Sequence, residues 1–116
     1  MLSEGMLKKY EEAYDKFSEL FSGSDFIVRH RSFDNYEKNE NRDLSFFHQD
    51  EWICGVYVAK DSYKIYMKNM IWYTHTARAT TEKDKNGCYT IRCYNLPDCL
   101  DEVKTYAEKV YGYNKK

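Results

Sequence analysis

Apolar and polar residues alternate along several segments of this chain, and the alternating positions carry many of its 12 tyrosines, 6 phenylalanines and 2 tryptophans. Alternation with a period of two predicts β-strands that have one face against a core and the other toward water. Tyrosine and tryptophan join a large apolar body to a polar tip. The sequence therefore predicts a sheet that seals a core on one face and presents an aromatic surface on the other.

Five such segments predict five strands. They cover residues 25–33, 44–48, 52–60, 63 to 75 or beyond, and 88–96. In the third segment, the alternation places Trp52, Cys54, Val56 and Val58 on the core face and Gly55 and Tyr57 on the opposite face. In the fourth, the phase breaks near Asn69, which predicts a bulge or bend there.

The connections between the strands have their own signals. Residues 34–43 lack periodicity and are rich in side chains that bind their own backbone, so they predict an exposed loop. Residues 82–87 are polar and end in Asn86-Gly87, a pair that suits hairpin turns. We therefore expect the last strand to return antiparallel to the one before it.

Two amphipathic segments flank the strands and predict helices. In residues 3–22, apolar side chains recur at spacings of three and four, and Gly23 follows where a left-handed residue often ends a helix. The second helix is expected from Pro97 to Gly112. The order α-β-β-β-β-β-α predicts an α+β fold of two layers, with both helices on one face of a mostly antiparallel five-stranded sheet.

Size and charge narrow the class of protein. A chain of 116 residues fits a single domain, residues 1–116, and its formal net charge of -1 argues against a protein-wide field that gathers nucleic acid or anionic membrane. No secretory signal pattern or bilayer-length apolar run occurs, so we expect a soluble cytoplasmic protein without a membrane partner. The four cysteines are then expected to be free thiols.

One face of the predicted sheet is the leading candidate for a binding site. With the apolar strand positions toward the helices, basic and aromatic side chains emerge on the other side, namely Arg29, Arg31, Tyr57, Lys64, Tyr66, Lys68, Arg92 and Tyr94. Such a face binds single-stranded nucleic acid in some proteins, through stacking on bases and contacts with phosphates. It also suits a protein interface, and the same residue types occur on strands that are merely solvated.

Other chemistry has weaker support in the sequence. His30, His48 and His75 fall in predicted strands, but the cysteine spacing does not match a zinc site, and the scattered glycines form no phosphate-binding loop, so no cofactor is expected. A hydrolase would pair Cys54 or Cys88 with His75, without a recognisable nucleophile turn. A metal-dependent nuclease would use the acidic residues near the predicted loop, which are Asp34, Glu37, Glu40, Asp43, Asp50 and Glu51.

The sequence thus favours a non-catalytic interaction module that binds a partner protein, or a second copy of itself, through the basic and aromatic face. Single-stranded nucleic-acid binding through the same face, and a small hydrolase or metal-dependent nuclease, are the alternatives. The size and composition would suit a bacterial or phage accessory protein that inhibits a larger enzyme.

Overall fold

A computed structural model describes residues 3–30, 43–68, 80–83 and 89–114 of the chain. The helices and strands are α1 (Glu4–Leu20), β1 (Phe26–His30), β2 (Asp43–His48), β3 (Glu51–Val58), β4 (Tyr63–Met67), β5 (Thr80–Lys83), β6 (Tyr89–Cys93) and α2 (Leu96–Tyr111). The strands form one sheet in the order β1-β2-β3-β4-β6-β5, and each neighbouring pair is antiparallel. The predicted α+β two-layer fold is confirmed, with six strands in the described part of the chain instead of five.

The additional strand is β5, which pairs with β6 from Thr80 opposite Arg92 to Lys83 opposite Tyr89. The sequence predicted a turn over residues 82–87, which are polar and end in Asn86-Gly87, and it marked no separate strand before that turn, because Thr80–Lys83 has no apolar alternation. A strand at the edge of a sheet does not need that alternation, and threonine fits the extended backbone. Residues 69–79, which include the predicted bulge at Asn69, lie outside the described part of the chain.

Local signals define both ends of α2. The Asn95 side chain caps the first turn by accepting a hydrogen bond from the Asp98 amide at 2.9 Å, and Pro97 lies in that turn, where its missing amide hydrogen costs nothing. The helix ends at Gly112, which adopts a left-handed conformation with φ 71°. Both the proline start and the glycine stop were predicted from the sequence.

The core lies between the two helices and one face of the sheet. An aromatic cluster fills its end near the α1–β1 connection. There the rings of Phe17, in α1, and Phe21, just after α1, contact the Phe46 ring of β2 edge to face, at centroid distances of 4.9 and 6.0 Å. Phe21 also contacts the ring of Tyr113, whose hydroxyl donates a hydrogen bond to the Leu20 carbonyl at 2.9 Å. The end of α1 is therefore fixed by a residue that follows α2.

A β-bulge interrupts the ladder between β2 and β3. Phe46 lies opposite Cys54 and Phe47 lies opposite Trp52, so Ile53 is an extra residue in β3 with no partner in β2. Its insertion changes which residues of β3 share a face. Trp52, predicted on the core face with Cys54, lies instead on the opposite face, and that prediction was wrong.

The bulge is held by two hydrogen bonds to one carbonyl. The Ile53 carbonyl accepts from the Lys68 amide and from the Tyr106 hydroxyl of α2, each at 3.0 Å. The Ile53 side chain itself is 1% exposed. Because a bulge leaves a backbone group without its ladder partner, the Tyr106 contact stabilises this departure from regular pairing.

Candidate functional site

The strand face that points away from the helices carries most of the side chains predicted to form a binding surface. The strand register shows which residues share this face. Its successive cross-strand partners are Arg29, Ser45, Gly55, Tyr66 and Thr90. We call this side the open face, and its described members are Ile27, Arg29, Asp43, Ser45, Phe47, Trp52, Gly55, Tyr57, Lys64, Tyr66, Thr80, Glu82, Thr90 and Arg92. Arg29, Tyr57, Lys64, Tyr66 and Arg92 occupy the sides that alternation predicted.

Three apolar side chains form a continuous row across one end of the open face. Ile27 of β1 lies opposite Phe47 of β2, and Phe47 lies opposite Trp52 of β3. Ile27 is 43% exposed and Trp52 is 38% exposed, while Phe47 is half-buried between them. We call Ile27, Phe47 and Trp52 the apolar row. It presents large apolar side chains to water on three neighbouring strands.

Gly55 leaves room for the indole of this row. A Cβ atom at Gly55 would lie 3.5 Å from Trp52 Cζ2 and 3.2 Å from the Leu44 carbonyl oxygen. The second distance is tighter than ordinary van der Waals contact, and the atom it meets belongs to the backbone of the neighbouring strand. Glycine therefore allows close approach at this point, and the indole lies over the backbone of its own strand.

Polar and aromatic side chains border the apolar row. The Arg29 guanidinium lies over the Phe47 ring at 5.3 Å from its centroid, which is within the range of a cation–π contact. Tyr57 and Tyr66 are half-buried, and Lys64 lies between Tyr57 and Arg92 in register. The face thus combines amphipathic rings with cations, as the sequence predicted.

Carboxylates of the same chain engage two of the predicted cations. Glu82 receives two hydrogen bonds from Arg92, Nε to Oε1 at 2.7 Å and Nη2 to Oε2 at 3.0 Å, while Arg92 Nη1 donates to Ser62 Oγ at 2.5 Å. Lys68 Nζ lies 2.6 Å from Glu51 Oε1. These two positive charges are therefore already neutralised within the molecule.

The remaining predicted site residues have different environments. Tyr94 follows β6 and is 59% exposed, so it extends the aromatic surface beyond the strand. Lys68 follows β4, and its ammonium reaches Glu51, which pairs in register with His48 on the helix side, so its charge does not lie on the open face as predicted. Arg31 lies outside the described residues, so its predicted place on this face stays a prediction.

The ion pair between Glu82 and Arg92 should make the stability of this edge of the sheet depend on pH. The hydrogen bond from Arg92 lowers the pKa of the Glu82 carboxyl, and its charge adds to that effect. A carboxyl whose pKa is lower in the folded state contributes stability above its ordinary pKa and loses that contribution as the pH falls through the folded value. The pair should therefore stabilise the pairing of β5 with β6 at neutral pH, and this contribution should be lost in acid.

We expect Glu82→Gln to lower the free energy of unfolding at about pH 7 by about 1 kcal/mol or less, since the pair is partly exposed. The difference from the unchanged protein should shrink as the pH falls below about 4. Urea unfolding at a series of pH values measures this. In an Arg92→Met background, the pH dependence of the Glu82→Gln effect should be much smaller, because only the charge of Lys64 is left to lower the pKa of the Glu82 carboxyl, and a dependence of unchanged size there would contradict the assignment.

Among the described residues, little of the geometry that a hydrolase or a metal site requires is present. Cys54 is completely buried, and burial raises the pKa of its thiol, which opposes a nucleophilic role. Its proposed partner His75, and Cys88, lie outside the described residues. Among the residues that the structure describes, no group of three or more His, Cys, Asp and Glu side chains could hold a metal ion.

The other two predicted histidines have aromatic neighbours. His30 stacks on Tyr14 at 4.3 Å, and its Nδ1 lies 2.6 Å from the Tyr10 hydroxyl, where burial lowers the pKa of the imidazole. His48 stacks on Phe26 at 4.3 Å. Both imidazoles therefore pack in the protein as ring side chains.

The acidic residues of the nuclease hypothesis are not gathered in the described part of the chain. Asp34, Glu37 and Glu40 lie outside it. Asp43 begins β2, and the β2–β3 turn separates it from Glu51, which pairs with Lys68. Asp50 lies in that turn.

The apolar row was not predicted from the sequence. Ile27 and Phe47 were expected only as parts of strands, and Trp52 was expected in the core. A signal for Phe47 was present, because adjacent residues of a strand point to opposite faces and Phe46-Phe47 must therefore expose one ring. No comparable signal marked Ile53 as a bulge.

Comparisons with known proteins supply no relative. No protein-family model matches the chain, no curated protein matches its sequence, and no solved structure matches its fold at a significant level. Within the described ranges, neither helix combines the length and the apolar character that crossing a membrane requires.

Proposed function

We propose that this protein is a non-catalytic interaction module whose open face binds another protein. The observation that carries the proposal is the apolar row, in which Ile27 and Trp52 are 43% and 38% exposed on either side of Phe47. Tryptophan, tyrosine and arginine concentrate binding energy at protein interfaces, and this face carries all three types. Arg29, Tyr57 and Tyr66 would then surround the row as the adaptable part of the interface.

The charges of the face favour a protein partner over single-stranded nucleic acid. Nucleic-acid binding depends on cations that neutralise phosphates. On the open face, Arg92 already binds Glu82, while Lys68 binds Glu51, which pairs in register with His48 on the helix side of the sheet. The Glu82 and Asp43 carboxylates of the open face would repel phosphates. Nucleic-acid binding through the face is therefore the second candidate.

The same features define the chemistry of the partner. The apolar row matches a partner surface that has an apolar centre. The buried free thiols of Cys54, Cys93 and Cys99 are typical of a reducing compartment, so we place the interaction in the cytoplasm. Inhibition of a larger bacterial or phage enzyme is one form that such binding would take.

The test compares the unchanged protein with Trp52→Ala, which truncates the largest side chain of the apolar row. Each is used as bait in an extract of the source organism, and recovered proteins are identified by mass spectrometry. A protein that binds the unchanged chain is then purified, and its affinity for both forms is measured by calorimetry. We expect Trp52→Ala to weaken binding by about 30-fold, since interface hot spots contribute about 2 kcal/mol or more.

Lys60→Ala is the matched control, because Lys60 is exposed in the turn between β3 and β4, away from the apolar row. It should bind as the unchanged protein does. Self-association abolished by Trp52→Ala would identify the partner as a second copy. Oligonucleotide binding that falls steeply between about 50 and 200 mM salt would instead favour the second candidate. If no partner distinguishes the folded Trp52→Ala variant from the control, the proposal is wrong.

A further inference from the structure

A cleft of about 600 Å³ lies at one end of the molecule, on the side of the helices and away from the open face. The connection from α1 to β1, the turn between β2 and β3, and the segment after α2 line it. We call it the end cleft and define it by Asp25, Phe26, His48, Gln49, Tyr111 and Tyr113. Its volume is in the range of sites that bind small molecules or single side chains.

The electrostatics of the end cleft favour a cation. Both helices end beside it, α1 at Leu20 and α2 at Tyr111, so the negative ends of two helix dipoles meet there. The Asp25 side chain is 62% exposed, and one of its carboxylate oxygens lies 3.1 Å from His48 Nε2. No lysine or arginine is among the described residues that line the cleft.

Charges just outside the cleft do not reverse this preference. The pKa of the Tyr113 hydroxyl is raised by burial and, to a smaller degree, by the Glu108 carboxylate. Glu108 is therefore a second negative charge near the cleft wall. Lys68 lies near Tyr111, but its ammonium is bound by Glu51 at 2.6 Å. Lys109 lies in the last turn of α2 and offsets part of the negative end of that helix, so the preference for a cation depends mainly on Asp25 and the end of α1.

Aromatic rings form the walls. The Phe26 ring stacks on the His48 imidazole at 4.3 Å and contacts the Tyr113 ring edge to face at 5.4 Å. Tyr111 meets His48 edge to face at 5.9 Å. The Phe26 and Tyr113 rings are only 5% and 6% exposed, and Phe21 also stacks on Phe26, so the half-buried Tyr111 is the more accessible ring. Cations bind favourably over such a ring, and a planar guanidinium also stacks on it.

The β2–β3 turn supplies an amide at the rim. Gln49 and Asp50 both have positive φ, 52° and 66°, a conformation that residues with side chains rarely adopt and that two-residue hairpin turns require. The turn holds Gln49 against the cleft. The side-chain carbonyl of Gln49, the Asp25 carboxylate and the hydroxyls of the lining residues are hydrogen-bond acceptors. A guanidinium has five donors and can bind several of these acceptors together.

From this geometry we propose that the end cleft binds a guanidinium group, the arginine side chain of a peptide or protein partner. The planar cation would stack on the half-buried Tyr111 ring and donate to the Asp25 carboxylate. A lysine ammonium would gain the charge interaction without the stacking, so it should bind more weakly. The proposal concerns a second site, separate from the open face, and does not rest on the function proposed above.

The experiment titrates ¹⁵N-labelled protein with N-acetyl-arginine amide at neutral pH. We expect saturable shifts of the amide resonances of residues 22–26, 48–49 and 111–114 at millimolar ligand. N-acetyl-citrulline amide, which has the same shape without the charge, should bind at least about tenfold more weakly. This comparison uses the unchanged protein and therefore does not depend on whether a variant folds.

Asp25→Asn should weaken the binding of N-acetyl-arginine amide by about tenfold. Asp61→Asn is the matched control, because Asp61 is exposed in the β3–β4 turn, and it should leave the affinity unchanged. Equal binding of the arginine and citrulline probes, shifts at residues elsewhere, or no saturable shifts would overturn the proposal. Failure of partner binding at the open face would leave this titration unaffected.

Discussion

Replacing Phe46 by alanine should lower the free energy of unfolding by about 3–5 kcal/mol, the usual cost of removing a buried aromatic ring. Phe46 is 1% exposed, and its ring contacts Phe17 and Phe21 edge to face. Its loss would leave a cavity between α1 and the sheet that neighbouring rings cannot fill without leaving their preferred rotamers. Urea unfolding followed by circular dichroism measures the change.

The control is the next residue in the chain. Phe47 lies on the open face and is half-buried, so Phe47→Ala should cost about 1 kcal/mol or less, in the range of surface substitutions. Two adjacent phenylalanines thus test the placement of the two faces directly. Equal losses of stability for the two variants would mean that the assignment of faces in β2 is wrong.

The second large effect is expected at Tyr106, which joins α2 to the bulge in β3. The side chain is fully buried, and its hydroxyl donates to the Ile53 carbonyl at 3.0 Å. We expect Tyr106→Ala to destabilise the protein by about 3–5 kcal/mol through loss of the ring and of that hydrogen bond. Tyr106→Phe keeps the ring and should cost only about 1 kcal/mol, because the carbonyl still accepts from the Lys68 amide.

Tyr94→Ala provides the control for residue type, because Tyr94 is 59% exposed, and it should change stability by about 0.5 kcal/mol or less. Denaturant midpoints of the three variants measure the series. A loss for Tyr106→Phe as large as that for Tyr106→Ala would assign the stabilisation to the hydroxyl network rather than to ring packing.

The fold was predictable where sequence signals act locally. Signals that depend on a few neighbouring residues predicted α1, α2, β4 and β6. These signals were the apolar stripe of α1, the proline start and glycine stop of α2, and the alternation of β4 and β6. The same alternation placed Arg29, Tyr57, Lys64, Tyr66 and Arg92 on the open face. The strand β5 was missed because an exposed edge strand carries no apolar period.

The candidate site was less predictable, because it depends on contacts between distant segments. The bulge at Ile53 is stabilised by Tyr106 and Lys68, and nothing in the local sequence of β3 marks it, so Trp52 was assigned to the wrong face. The pairing of Lys68 with Glu51 and of Arg92 with Glu82 likewise depends on strand register. Composition alone therefore overstated the positive charge of the face.

The contact between Tyr113 and the end of α1 also concerns how the chain is made. The Tyr113 hydroxyl binds the Leu20 carbonyl across 93 positions of sequence, and its ring contacts Phe21. During synthesis, the first helix leaves the ribosome long before this residue does. The aromatic packing around Phe21 is therefore completed only after translation has passed Tyr113, and until then a nascent chain would hold its first helix against an incomplete core.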